Sequence, residues 1–291
     1  MMNLYKYFSL VKFAHTIFAM PFAMVGLFYG VREAGLMHNF PTKILALVIL
    51  CMIFARNAAM SFNRFADRKI DADNARTAGR EIPAGIISPH AALCFVAVNC
   101  FLFCLTAWFI NTITFALSPL ALLIVLGYSY TKRFTALCHF VLGLGLSIAP
   151  TAAYLAVTGR FALAPALLSA VVLLWVGGFD ILYALADEDF DKQKNLHSIP
   201  ALVGRSRAML LSTLVHSAAA ILMLILSFVL QLGLLHAVGV CIFAGLLIYQ
   251  HLIISPANLR RLNAAFFTVN GIASICYALF TILDIVIGEP G

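Results

Sequence analysis

The sequence predicts an all-α, polytopic membrane protein, a bundle of nine transmembrane helices, and three observations lead there. Of its 291 residues 63% are hydrophobic and only 11% charged, and with a mean hydropathy of +1.00 the chain lies far outside the composition of soluble domains. Runs of about 18 or more apolar residues, long enough for a hydrocarbon core of roughly 30 Å, recur almost end to end. The basic residues also gather on one side of these runs.

Lys6 and Lys12 precede the first span, 15–33, while Arg32 at its end and Lys43 lie at the turn into the second, 43–62. The second span contains Arg56 and leads into a segment with Arg64, Arg68, Lys69, Arg76 and Arg80. Spans 89–110 and 112–130 follow with no charge between them, and then come Lys132 and Arg133. Arg160 separates spans 136–157 and 162–184, and Lys192, Lys194, Arg205 and Arg207 precede 208–230. Span 233–254 leads to Arg260 and Arg261, and 264–287 is the last. Fifteen Lys and Arg thus face one side and three the other, with Arg56 inside a span. Because such residues accumulate in cytoplasmic loops, the N-terminus is expected in the cytoplasm of an inner (cytoplasmic) membrane or its equivalent, and the C-terminus outside. Backbone groups in lipid must pair internally, so each span should be a helix.

No small-residue cleavage site follows the first span, so no removed signal peptide is expected, and residues 1–291 read as one domain. The formal charge of +7 is mostly topological, which leaves a nucleic-acid partner without support. The seven cysteines fall in or at the edge of apolar spans without a Cys-x-x-Cys pair and read as small packing residues. The eight histidines show no ligand spacing, and none is assigned to a metal.

Acid is the anomaly in this chain. Asp67, Asp71 and Asp73 with Glu81, and Asp180, Asp187, Asp189 and Asp191 with Glu188, make nine of the twelve acidic residues. Both segments follow an apolar span and open on the cytoplasmic side. On a helix of 3.6 residues per turn, Asn63, Asp67 and Asp71 fall within about 80°, and so do Asp180, Tyr183, Asp187 and Asp191. Like charges at i, i+4 destabilise a helix by a few tenths of a kcal/mol, and carboxylates near lipid cost more. Mg²⁺ offsets both, since it takes carboxylate and amide oxygens and completes its shell with substrate phosphate. Asn63, Asp67, Asp71, Asp180, Asp187 and Asp191 are therefore the candidate ligands. The two halves are expected to meet only when a diphosphate bridges them. Arg76, Arg80 and Lys132 are the cations placed to clamp that diphosphate, whereas Arg68, Lys69, Arg205, Arg207, Arg260 and Arg261 read as topological.

These residues resemble the UbiA family of intramembrane prenyltransferases, specifically its 4-hydroxybenzoate polyprenyltransferase-like branch. The first family motif is matched by Asn63, Asp67 and Asp71 in NRFADRKID, with Arg64 where the family has Asp. Arg76, Thr77, Arg80, Pro83 and Gly85 continue it, Tyr128, Lys132, Arg133 and Thr135 match a loop motif, and Asp180, Tyr183, Asp187 and Asp191 in DILYALADEDFD match the second motif in full. The side chain of Arg64 should point about 100° from Asn63, toward phosphate or lipid headgroups.

The resemblance implies a bundle around a central cavity, two Mg²⁺ ions holding a polyprenyl diphosphate, and prenyl transfer to an aromatic acid in quinone biosynthesis, with no obligatory protein partner. One ion would rest mainly on Asn63 and Asp67 and the other on Asp187 and Asp191, with Asp71 and Asp180 as further ligands or orienting groups. Asp67, Asp187, Asp191 and Tyr183 would be the catalytic residues, Tyr183 through its ring face or phenol. Arg56, seven residues before Asn63 and deeper in the membrane, needs an anionic partner, and an acceptor carboxylate suits it, with Asn57 assisting. A naphthoate-type acid is the rival acceptor. A transporter would place its acids nearer the bilayer midplane in interrupted helices. The run GLGLSIAP, Gly143 to Pro150, suits close helix contact.

Overall fold

The protein is described by a computed structural model covering Leu10 and residues 18–288. Its elements are α1 (Met20–Glu33), α2 (Thr42–Ala66), α3 (Arg68–Asp73), α4 (Pro89–Trp108), α5 (Thr112–Thr131), α6 (Cys138–Thr158) and α7 (Leu163–Ala184). A 3₁₀ turn (Leu185–Asp187) follows, then α8 (Glu188–Gln193), α9 (Ile199–Val203), α10 (Arg205–Leu230), α11 (Leu234–Leu252), a π-helical turn (Ala264–Val269) and α12 (Asn270–Ile287). No strand occurs among the described residues.

Eight helical segments of the described residues are long and apolar enough to cross a membrane, and the chain is a multi-pass membrane protein. The expected span at 15–33 is described only from residue 18, with α1 beginning at Met20; its start lies outside the described residues. Where the second apolar run was expected to end at 62, α2 continues to Ala66. The hydropathy pattern marks the lipid boundary there, and the helix runs beyond it into polar sequence.

Helix starts follow local chemistry. Ser88 accepts a hydrogen bond from the Ala91 N–H with Pro89 just inside α4, and Asn111 accepts from the Thr114 N–H at the start of α5, both favoured N-cap arrangements. The α6 helix ends at Gly159 in the left-handed conformation, φ 67°, which glycine adopts without steric cost.

In space α4 packs on α2 and α5, α5 on α6, α6 on α7, α7 on α10, and α11 on α12, while α1 lies against both α6 and α12. The aromatic core joins Phe18 and Phe22 to Trp175, Phe179, Phe243 and Tyr277. The small residues of α6 permit close approach: a Cβ on Gly143 would stand 2.5 Å from the Leu173 carbonyl oxygen of α7. Asn270, fully buried, accepts from Trp175 Nε1 at 3.0 Å and donates to the carbonyls of Ala265 and Phe266 at 3.1 Å each. It thereby satisfies backbone acceptors of the π turn, a feature often found at functional sites. At the far end, Asp284 of α12 accepts the N–H groups of Gly233 and His236, at 2.8 and 2.7 Å, and so caps α11 from outside it.

Candidate active site

A cavity of about 730 Å³ lies between α2, α4, α5, α6, α7 and the π turn. Its deep part is apolar, with Val48, Met52, Ile110, Leu117 and Ile124 on the wall, and its rim carries Asn63, Asp67, Arg80, Lys132, Asp180 and Asp187.

The first half of the rim comes from the end of α2. Asp67 sits between α2 and α3 with φ −92° and ψ 6°. The helical path nonetheless continues, since the Asp67 N–H bonds to the Asn63 carbonyl at 2.9 Å and the Asp71 N–H to the Asp67 carbonyl at 2.7 Å. Asn63 Nδ2 donates to Asp67 Oδ2 at 3.1 Å, so the two side chains stand together at the cavity. Arg133 Nη2 donates to Asp67 Oδ1 at 2.9 Å and to the Ala66 carbonyl at 2.8 Å. Burial pushes the Asp67 carboxyl up to about 6, opposed by Arg133. Asp71 faces away from the cavity, 5% exposed, and both its oxygens accept from Arg80 Nη1, at 2.7 and 2.8 Å.

The second half follows α7. Asp180, Tyr183 and Asp187 line the cavity, but Asp191 does not: it is fully buried, with Lys132 Nζ 2.7 Å away and Ser198 Oγ donating to it at 2.7 Å. The reason is the 3₁₀ turn at Leu185–Asp187. At 3.0 residues per turn, three residues advance roughly 60° further than in an α-helix, which carries Asp191 off the shared face expected for a continuous helix. Asp71 and Asp191 thus stand behind Arg80 and Lys132 and hold these cations at the rim.

The halves were expected to meet only through a ligand, and here the protein itself joins them. Asn74 Oδ1 accepts the Arg76 N–H at 2.9 Å, turning the chain back. Arg76 then donates from Nε to Asp187 Oδ1 at 3.0 Å, from Nη2 to Asp187 Oδ2, and from Nη1 to the Tyr183 hydroxyl at 3.1 Å. Lys194 and Asp73 form a second link at 2.6 Å. The ring of Tyr183 packs against Phe266 of the π turn, with centroids 4.1 Å apart.

Several site residues escaped the sequence reading. His139 Nε2 accepts the Ile199 N–H at 3.2 Å, which leaves the ring proton on Nδ1, aimed at Asp180 Oδ2 at 2.7 Å. Nothing in sequence spacing signals a pair 41 residues apart. Arg133 was matched in the loop motif but given no role at the site. Arg205, read as topological, pairs with Glu188 and Asp189. Arg64 reaches neither headgroups nor solvent: it is 2% exposed and lines the cavity. Arg56 lines the cavity deeper in, whereas Asn57 is turned toward α4, its Nδ2 donating to Asn99 Oδ1 at 3.1 Å.

As donors for a hard cation these groups fit chemically, because Asn63, Asp67, Asp180 and Asp187 offer an amide oxygen and carboxylate oxygens at the cavity edge. They are arranged as two half-sites: among the described residues no three His, Cys, Asp or Glu side chains gather in one metal-binding group.

The model of the UbiA prenyltransferase family matches residues 19–272. A 4-hydroxybenzoate octaprenyltransferase of Aliivibrio fischeri (strain MJ11) is 32% identical over 234 residues, covering 80% of this chain and 81% of the relative. One from Aliivibrio salmonicida is 33% identical over 239 residues, covering 80% and 82%. Among solved structures, the apo UbiA homologue of Aeropyrum pernix K1 superposes with a TM-score of 0.83 at 32% identity, covering 93% of this chain and 98% of that one. The UbiA homologue of Archaeoglobus fulgidus bound to GPP and Mg²⁺ has a TM-score of 0.70 at 21% identity, covering 96% and 99%, and shows likeness of fold. With the match over 19–272 and two acidic half-sites at the mouth of one apolar cavity, this chain belongs to the UbiA prenyltransferase family.

Proposed function

We propose that this protein transfers a polyprenyl group from a polyprenyl diphosphate to an aromatic carboxylic acid such as 4-hydroxybenzoate, in quinone biosynthesis, with two Mg²⁺ ions. The observation that carries the reading is one cavity with a charged rim, an apolar depth and an arginine, Arg56, inside it. The names of the 4-hydroxybenzoate octaprenyltransferase relatives support the acceptor class, and the Archaeoglobus homologue bound to GPP and Mg²⁺ supports the donor and the metal. The bias of Lys and Arg supports an N-terminus and an active site on the cytoplasmic side of a cytoplasmic membrane.

Asn63 and Asp67 would hold one ion and Asp187 with Asp180 the other. Bound there, Mg²⁺ stabilises the charge that develops on a departing diphosphate. Arg76, Arg80, Lys132 and Arg133, each resting on a carboxylate, turn toward the diphosphate oxygens. Asp71 and Asp191 keep Arg80 and Lys132 within reach, and His139 fixes the orientation of Asp180. The apolar walls exclude water from the allylic cation, and the face of Tyr183 stabilises it. The bond from the allylic carbon to the diphosphate oxygen breaks, a ring carbon of the acceptor bonds to that carbon, and the ring then loses a proton. The acceptor carboxylate rests on Arg56.

The test offers purified protein and Mg²⁺ a panel of prenyl diphosphates with 4-hydroxybenzoate and hydroxynaphthoates, and identifies products by mass. A prenylated aromatic acid that requires Mg²⁺ is expected. No product across the panel would sink the reading.

A further inference from the structure

Two arginines of this cavity lack what the other cations at the site have. Arg76, Arg80, Lys132 and Arg133 each hold a carboxylate. Arg56 and Arg64 line the same cavity, and among the described residues neither forms an ion pair with a carboxylate. The Nε of Arg56, and both Nε and Nη1 of Arg64, are buried without a hydrogen-bond partner. Tyr128, also on the cavity wall, interacts electrostatically with both guanidinium groups, Arg56 also feels the charge of Arg64, and Arg64 that of Arg80, Glu81 and Asp71. Buried charges are held where something pairs with them.

We propose that Arg64 and Arg56 together hold the carboxylate of the aromatic acceptor, so that Arg64, standing where the resembled motif has an aspartate, determines acceptor specificity in this chain. The proposal rests on the aromatic-acid reading given above. Arg56 lies about 10 Å deeper along α2 than Asn63, from seven residues at 1.5 Å each. An anion touching both arginines therefore sits below the rim that holds the diphosphate, toward the apolar wall. A planar carboxylate matches guanidinium donors two at a time, and an aromatic ring attached to it suits the apolar surroundings. A single arginine would serve a carboxylate already; the second strengthens rejection of neutral rings, because binding one of these leaves both charges unpaired.

The test uses full-length Arg64→Met protein in nanodiscs and equilibrium dialysis of labelled ligands. The ligands are 4-hydroxybenzoate and a hydroxynaphthoate, their neutral amides, and a non-hydrolysable prenyl diphosphate analogue with Mg²⁺. An acid that binds the unmodified protein is expected to bind Arg64→Met about 10-fold to 100-fold more weakly, the range for hydrogen bonds to a charged group. Binding of its amide and of the diphosphate analogue should stay within about threefold. The melting temperature should hold or rise, because an unpaired buried charge has been replaced by an apolar side chain of similar length. The proposal is overturned if acid binding stays within threefold, if the diphosphate analogue is the ligand that weakens, or if acid and amide weaken equally with a lowered melting temperature. Acid binding that depends on Arg64, in a protein that prenylates no acid, would sink the transferase reading and leave the carboxylate site standing. Prenyl transfer that Arg64→Met leaves unchanged would sink the site alone.

Discussion

Replacing Asn270 with Leu tests how the π turn serves the cavity. The substitution removes three hydrogen bonds, those with Trp175 Nε1, the Ala265 carbonyl and the Phe266 carbonyl. Side-chain hydrogen bonds between membrane helices average about 0.6 kcal/mol each, which makes about 2 kcal/mol for three. Trp175 is fully buried, so its orphaned N–H adds about 1–2 kcal/mol. The expected loss is about 3–4 kcal/mol, or a fall of roughly 6–16 °C in melting temperature at 2–4 °C per kcal/mol. Thermal unfolding in one detergent, measured for Asn270→Leu, Trp175→Phe and the double variant, gives the coupling. Removing both partners should recover about 1–2 kcal/mol of the summed single losses, because no N–H is then left unpaired. Since the π turn sets Phe266 against Tyr183, kcat for prenyl transfer should also fall in Asn270→Leu at temperatures where it remains folded. A cost under about 1 kcal/mol with no coupling would refute the assignment of Asn270 as the keeper of the turn.

Burial raises the Asp67 carboxyl to about 6, and a proton competes with Mg²⁺ for the same oxygens; the Mg²⁺ concentration for half-maximal activity should rise as pH falls through 6, and a pH-independent value between 5 and 7.5 would remove Asp67 from the metal site. Arg76→Gln should lose about 1–2 kcal/mol of stability, a figure discounted because Arg76 is 37% exposed, and should weaken prenyl diphosphate binding at least tenfold by direct titration. Gly143→Val, whose Cβ would stand 2.5 Å from the Leu173 carbonyl oxygen, should cost about 1–3 kcal/mol, and an unchanged melting temperature would contradict the close α6–α7 contact. Asp284→Ala, far from the rim, should lower stability by about 2–4 kcal/mol through two orphaned N–H groups while kcat of the folded fraction stays as it was.

The membrane bundle was legible because lipid imposes one rule on every span, and a hydropathy pattern records it directly. The face of Asn63 and Asp67 was legible for a similar reason: α2 runs on past the lipid boundary with regular geometry. Asp191 was not, because a three-residue 3₁₀ turn is a local choice that no periodicity marks and that rotates everything after it. Asn57 follows Arg56 in sequence yet stands about 100° around the helix, and this is enough to give it to α4. Arg64 was expected off the metal face by the same 100°, toward phosphate or headgroups, but the cavity wraps a wider arc of α2 than a single stripe and takes it in. His139 and Ser198 reach the acidic motif only through tertiary packing, and a single sequence holds no trace of that.

At the rim, Asp67, Asp71, Asp187 and Asp191 are matched one for one by Arg133, Arg80, Arg76 and Lys132. These four pairs are therefore close to electrically neutral, which lowers the cost of keeping acids beside lipid. At Asp67 and Asp187, a metal ion arriving alone would set Arg133 and Arg76 adrift from their carboxylates, and a diphosphate arriving alone would strand the carboxylates. When cation and anion arrive together, each takes over the partner that the other releases at these two pairs. The resting charge balance of the rim thus favours the complete salt of the substrate over either of its halves.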